Sequence, residues 1–121
     1  MKRDLDLVRK LILAVEDSPS AWAPTDLQLA GYAPDQIAYH LWLIWSAGLA
    51  VGGETTHMGS AGPEARISHL TWQGHEFAEA ARNDTRWNKA MQLVKEQGGT
   101  VTIAGLRQVL VRLMSGNLGL P

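Results

Sequence analysis

Apolar side chains recur along this chain at two different spacings, and each change of spacing marks an element. Leu5, Val8, Leu11, Ile12 and Val15 share one face at helical spacing, which predicts a first helix over residues 3–15. Asp4 and Asp6 fall in its first turn, where carboxylates suit the positive end of the dipole. Asp17-Ser18-Pro19-Ser20 ends it, because the residue before a proline resists helical geometry. Leu27 and Leu29 alternate with Gln28, which predicts a short strand over residues 26–30. Pro34 then opens a helix that runs to about Ser46, with Gly48 as a left-handed stop. Residues 49–53 predict a strand with Leu49 and Val51 inward. ETTHMGSAGPEA, residues 54–65, predicts a mobile hairpin tip, and residues 66–69 return as a strand.

Three helices follow. The first is capped by Thr71, carries Trp72, Phe77, Ala80 and Ala81, and ends near Asn83. The second, residues 85–97, is capped by Asp84 and has Trp87, Met91 and Val94 on one face. The third is capped by Thr102, with a Val101–Leu106 staple and a stripe of Ile103, Leu106, Val109, Leu110 and Leu113. Residues 116–121 are a Gly-rich tail expected to be flexible.

The predicted class is mainly α with a small antiparallel β-sheet. A helix, then Ala47-Gly48-Leu49, then a two-stranded hairpin is the order of a winged helix. A strand at 26–30 joining the hairpin would complete its three-stranded sheet. Only residues 30–33 separate that strand from the next helix, so the second helix of a helix-turn-helix has no room. The expectation is a degenerate, winged-helix-like domain over residues 1–115, with a core at 1–70 and additional C-terminal helices at 71–115.

Composition and charge narrow the function. At 121 residues, 45% hydrophobic and 19% charged, the chain has the make-up of an ordinary globular domain. Without cysteine it has neither disulfides nor thiolate metal sites. Its start is no signal peptide and no run is long enough to span a bilayer, so a cytoplasmic location and no membrane association are expected. Residues 1–10 carry Lys2, Arg3, Arg9 and Lys10 against Asp4 and Asp6. Residues 11–65 carry no Lys or Arg, but Glu16, Asp17, Asp26, Asp35, Glu54 and Glu64. That middle segment is ill suited to phosphate contacts.

The helix at 34–46 is apolar nearly all round. Ile37, Ala38, Leu41, Ile44 and Trp45 cluster on one face, and Tyr39, Trp42, Leu43 and Ser46 on another. The second group is the candidate protein-interaction face, of the aromatic kind enriched at interface centres. A base-reading helix normally offers Arg, Lys, Asn or Gln instead. Candidate nucleic-acid contacts therefore fall elsewhere, on Lys2, Arg3, Arg9, Lys10, Arg66, Arg82, Arg86 and Lys89. His40, His57, His69 and His75 match no zinc-ligand spacing, and no nucleophile elbow or phosphate-binding glycine motif occurs. No cofactor and no catalysis are expected.

MKRDLDLVRKLILAVED at the start, GYAPDQIAYHLWLIWSAGL in the middle and ISHLTWQGHEFAEAARNDTRWNKA after the hairpin together resemble a domain-of-unknown-function family of small proteins from bacteria, phages and prophages. The resemblance covers nearly the whole chain apart from the hairpin tip and the tail. It implies a winged-helix-like fold and a mobile-element origin. It transfers no activity and no functional residue. Trp42 and Leu43 depart from the more polar face usual there. The favoured expectation is a non-enzymatic adaptor or regulator that binds a host or phage protein, with self-association as a dimer a further expectation. The alternative is a DNA-binding transcriptional regulator using the basic residues of the first and C-terminal helices.

Overall fold

The computed structural model describes residues 1–116. It is mainly helical with one small antiparallel sheet: α1 (Leu5–Glu16), α2 (Pro34–Ser46), β1 (Ala50–Glu54), β2 (Ala65–Leu70), α3 (Trp72–Arg82), α4 (Asp84–Glu96) and α5 (Ile103–Ser115). The tail beyond Gly116 lies outside the described residues.

α1 begins two residues later than its apolar spacing predicts, because Asp4 is its cap and not part of its first turn. The Asp4 carboxylate accepts from Leu7 N–H at 3.1 Å. Leu7, Val8, Leu11 and Ile12 are fully buried, and α1 packs against α2, β2 and α3. One continuous core results, running from Val15 through Ile44 and Phe77 to Leu110.

Two helices end alike. Past α2, Gly48 N–H reaches Trp45 O (3.0 Å) and Leu49 N–H reaches Ile44 O (3.1 Å), with Gly48 at φ +81°. Past α4, Gly98 N–H reaches Lys95 O and Gly99 N–H reaches Val94 O. Both are paired C-terminal closures that satisfy orphan carbonyls and need a left-handed residue. Thr71 locks the first closure to α3. Its hydroxyl donates to Gly48 O (2.7 Å) and accepts from Gly74 N–H (3.1 Å), while its N–H donates to Leu49 O (3.0 Å). A Cβ on Gly74 would collide with the Leu49 carbonyl, so this close approach requires glycine.

The sheet has two strands, β1 and β2. The strand expected at 26–30 is not formed. Leu27 and Leu29 are half-buried and Gln28 and Ala30 exposed, so the alternation reads side-chain burial correctly. It does not produce backbone pairing. Among residues 23–30, Ala23 alone donates an N–H to β2, at Ser68 O (2.7 Å). Ser68 is skipped by the register, which pairs Val51 with His69 and then Gly52 with Ile67. This bulge sends the Ser68 hydroxyl to Val51 O (3.0 Å) and leaves its carbonyl for Ala23.

Further boundaries shift for physical reasons. Leu49 is buried but belongs to the α2 closure, so β1 starts at Ala50 with Ala50 inward and Val51 outward, 44% exposed. Asn83, not Asp84, caps α4, accepting from Arg86 N–H at 2.8 Å. The hairpin tip expected to be mobile is stitched locally. Thr56 Oγ1 donates to the Glu54 carboxylate (2.8 Å) and accepts from Glu64 N–H (3.0 Å), and His57 N–H donates to Ser60 Oγ (2.9 Å).

Candidate functional site

The interaction face read from α2 is not a continuous exposed surface. Ser46 is exposed, and its hydroxyl donates to Leu43 O at 3.1 Å. Leu43 is half-buried against the core. Tyr39 and Trp42 are half-buried and stack on each other, with centroids 6.2 Å apart and planes 8° from parallel. Trp42 Nε1 is buried without a hydrogen-bond partner among the described residues. The fully buried polar side chain of this helix is His40. Its Nε2 accepts from Asp4 N–H (2.8 Å) and its Nδ1–H donates to Gln36 O (2.7 Å), so the neutral ring joins the start of α1 to α2.

Exposed apolar groups lie elsewhere. Trp22 is 63% exposed and Trp72 77% exposed, against 3% for Trp87. Trp22 meets the His69 ring edge-on at 5.4 Å, and His69 faces Val51 across the sheet. Trp22, His69 and Val51 therefore share one outer patch. Sequence periodicity passes over it, since Trp22 sits in a loop with no repeating apolar neighbours. Trp72 did carry a signal. At 100° per residue it lies roughly opposite the arc of Gly74, Phe77, Ala78 and Ala81 that α3 buries.

Arg9 and Arg86 meet at the end of α3 that carries Arg82, and the fold itself takes up their donors there. Arg9 donates to Ala81 O (2.8 Å), Arg82 O (3.1 Å) and Asp84 (2.7 Å), and its guanidinium lies 5.3 Å from the Trp87 ring centroid. Arg86 donates to Ala80 O (2.7 Å) and Glu79 O (3.1 Å). Two arginines thus close the carbonyl end of α3 from α1 and α4. Arg3 donates to Val101 O (2.7 Å), and Lys10 lies over Tyr32 at 5.2 Å. Arg82 pairs with Asp17 at 2.7 Å. That hydrogen bond holds the Asp17 carboxyl below its ordinary value and raises the Arg82 guanidinium above its own. Lys2, Arg66 and Lys89 are exposed, on the N-terminal segment, β2 and α4 respectively.

His75 pairs with Glu16, and His57 lies 3.3 Å from Glu64 in the hairpin tip. Among the described residues no group of three or more His, Cys, Asp or Glu is placed to hold a metal ion. No described helix is long and apolar enough to cross a membrane. A cleft of about 690 Å³ lies between β2, the segment 24–30 and the first half of α2. It presents Asp26, Glu64 and Arg66 around an apolar floor that includes Ile37 and Leu41.

The fold and these surfaces define a mainly helical protein with a small antiparallel hairpin and exposed tryptophans. The family model described as "Hypothetical protein (DUF2513)" matches residues 2–100, and the chain belongs to that family. A Haemophilus influenzae protein described as uncharacterized is 31% identical over 116 residues, which cover 95% of this chain and 97% of that protein. No solved structure matches.

Proposed function

We propose that this protein is a non-enzymatic adaptor of the cytoplasm that binds another polypeptide. The observation carrying this reading is the exposure of Trp22 and Trp72 beside a core that is otherwise complete. A large exposed aromatic is informative where an exposed leucine is not, and tryptophan is the residue most enriched among energetic centres of protein interfaces. The helix-then-hairpin order supports a winged-helix-like ancestry. The DNA-binding alternative draws less support, because Arg3, Arg9, Arg82 and Arg86 are engaged with carbonyls and carboxylates of the fold itself.

The test is affinity purification from the source cell, with and without nuclease, using the native chain and a Trp22→Ser/Trp72→Ser variant. A partner protein that survives nuclease and is lost with the variant is expected, at unchanged thermal midpoint. Partners that vanish with nuclease, or persist on the variant, overturn the reading. Recovery of a second copy of the chain as the nuclease-resistant partner identifies self-association as the binding event.

A further inference from the structure

We propose that the cleft along the outer edge of β2 receives an extended, basic peptide as an added strand. This rests on the polypeptide-binding reading and adds a second surface to it.

Backbone geometry comes first. Thr55 N–H donates to Glu64 O at 2.9 Å, which makes these two residues a directly bonded pair. The register continues with Glu54 opposite Ala65, Gly53 opposite Arg66 and Gly52 opposite Ile67. Bonded and non-bonded pairs alternate along an antiparallel ladder, so Ala65 and Ile67 turn their N–H and C=O away from β1. Those groups face the cleft, which Ala65, Arg66 and Ile67 line. Ala23 closes the edge at Ser68. Residues 24–30 line the same cleft without a backbone hydrogen bond to β2, so the edge at Ala65 and Ile67 is open to an added strand.

The size of that gap fits a strand. Strand rise, strand spacing and sheet thickness give roughly 160 Å³ per extended residue, so 690 Å³ holds about four. An added strand is held by its main chain, and alternate side chains enter pockets that set specificity. Ile37, Ala38 and Leu41 offer an apolar floor to one set of side chains.

Charge selects the rest. Asp26 and Glu64 line the cleft against a single basic residue, Arg66. Residues 11–65, which supply most of the lining, contain no Lys or Arg. The complementary occupant alternates apolar residues with Lys or Arg. Trp22 precedes the residue that closes the edge, so the proposed strand would end beside the exposed Trp22–His69 patch.

The probe is a short capped peptide alternating valine and lysine, with its valine–glutamate counterpart as control, titrated into 15N-labelled protein. Expected are amide shifts and slowed exchange at Ala65 and Ile67, and binding about tenfold tighter for the lysine peptide. An Asp26→Lys/Glu64→Lys variant, checked for an unchanged thermal midpoint, is expected to reverse that preference. Three results overturn the inference: equal binding of both peptides, no binding at millimolar concentration, or shifts that map away from β2. Sheet-like exchange protection of residues 24–30 in the free protein also overturns it, since the edge would then be filled from within. A failed titration beside a tryptophan-dependent partner removes the cleft and leaves the adaptor. Lysine-peptide binding with no tryptophan-dependent partner removes the exposed patch instead.

Discussion

His40 shows how much one side chain can decide. It is fully buried, and both ring nitrogens are used. His40→Phe keeps an aromatic ring of similar size but leaves Asp4 N–H without its partner, while Gln36 O keeps its helical bond from the residue 40 N–H. We expect a loss of about 1–3 kcal/mol in the denaturant midpoint analysis, from the unpaired Asp4 N–H. The Asp17–Arg82 pair gives a pH signature instead. A carboxyl whose folded value lies below its ordinary 3.8 stabilises the fold above that value. That contribution is lost as pH falls through the depressed folded value. The stability difference between the native chain and Asp17→Asn should therefore shrink on acidification below about pH 4, as read by thermal midpoints across an acid series. Neither feature is legible locally. His40 and Asp4 are distant in sequence, and nothing in the spacing of charges singles out Arg82 for Asp17.

Elements meet through glycine at two places, each requiring it for a different reason. Gly48 is left-handed with open space around it, so Gly48→Ala should cost about 1–2 kcal/mol from the backbone conformation. Gly74 sits inside α3, where alanine normally favours the helix by about 1 kcal/mol. Here its Cβ meets the Leu49 carbonyl, so Gly74→Ala should cost about 1–3 kcal/mol by forcing α3 away from the α2 closure. Urea titration of both variants checks the pair, and a stabilised Gly74→Ala would contradict the close approach. The sequence shows Gly48 plainly, because it follows an apolar helix and precedes a strand. It hides Gly74, whose neighbour arrives from across the fold. The same limit explains residues 26–30. Alternation reports which side chains are buried, while pairing also needs backbone donors along a shared edge, and of residues 23–30 only Ala23 supplies one.

The whole molecule shares one core. Leu7, Val8, Leu11 and Ile12 of α1 are buried together with Phe77, Leu106 and Leu110. Arg9 of α1 also closes the end of α3, and Trp87 of α4 donates to Asp6 at 2.8 Å. Residues 1–70 alone would expose those α1 side chains, so we expect that fragment to lack a cooperative thermal transition, while the full chain unfolds in one step by circular dichroism. A cooperative melt of the fragment would show that its core stands alone. Helix count, order and most buried stripes were legible from periodicity. The surfaces were only partly so: Trp72 lies off the buried arc of α3, whereas the exposure of Trp22 depends on which faces the tertiary packing leaves over.

The self-stitched hairpin tip bears on how such chains can vary over evolutionary time. Residues 55–64 are joined by bonds among themselves, while the junction that orients α3 is made by Thr71, Gly48 and Leu49. Closing a longer loop costs only about 0.6 kcal/mol per doubling of its length. Insertions and deletions at the tip can therefore accumulate without disturbing the junction, making it the natural place for lineages of this family to differ in length.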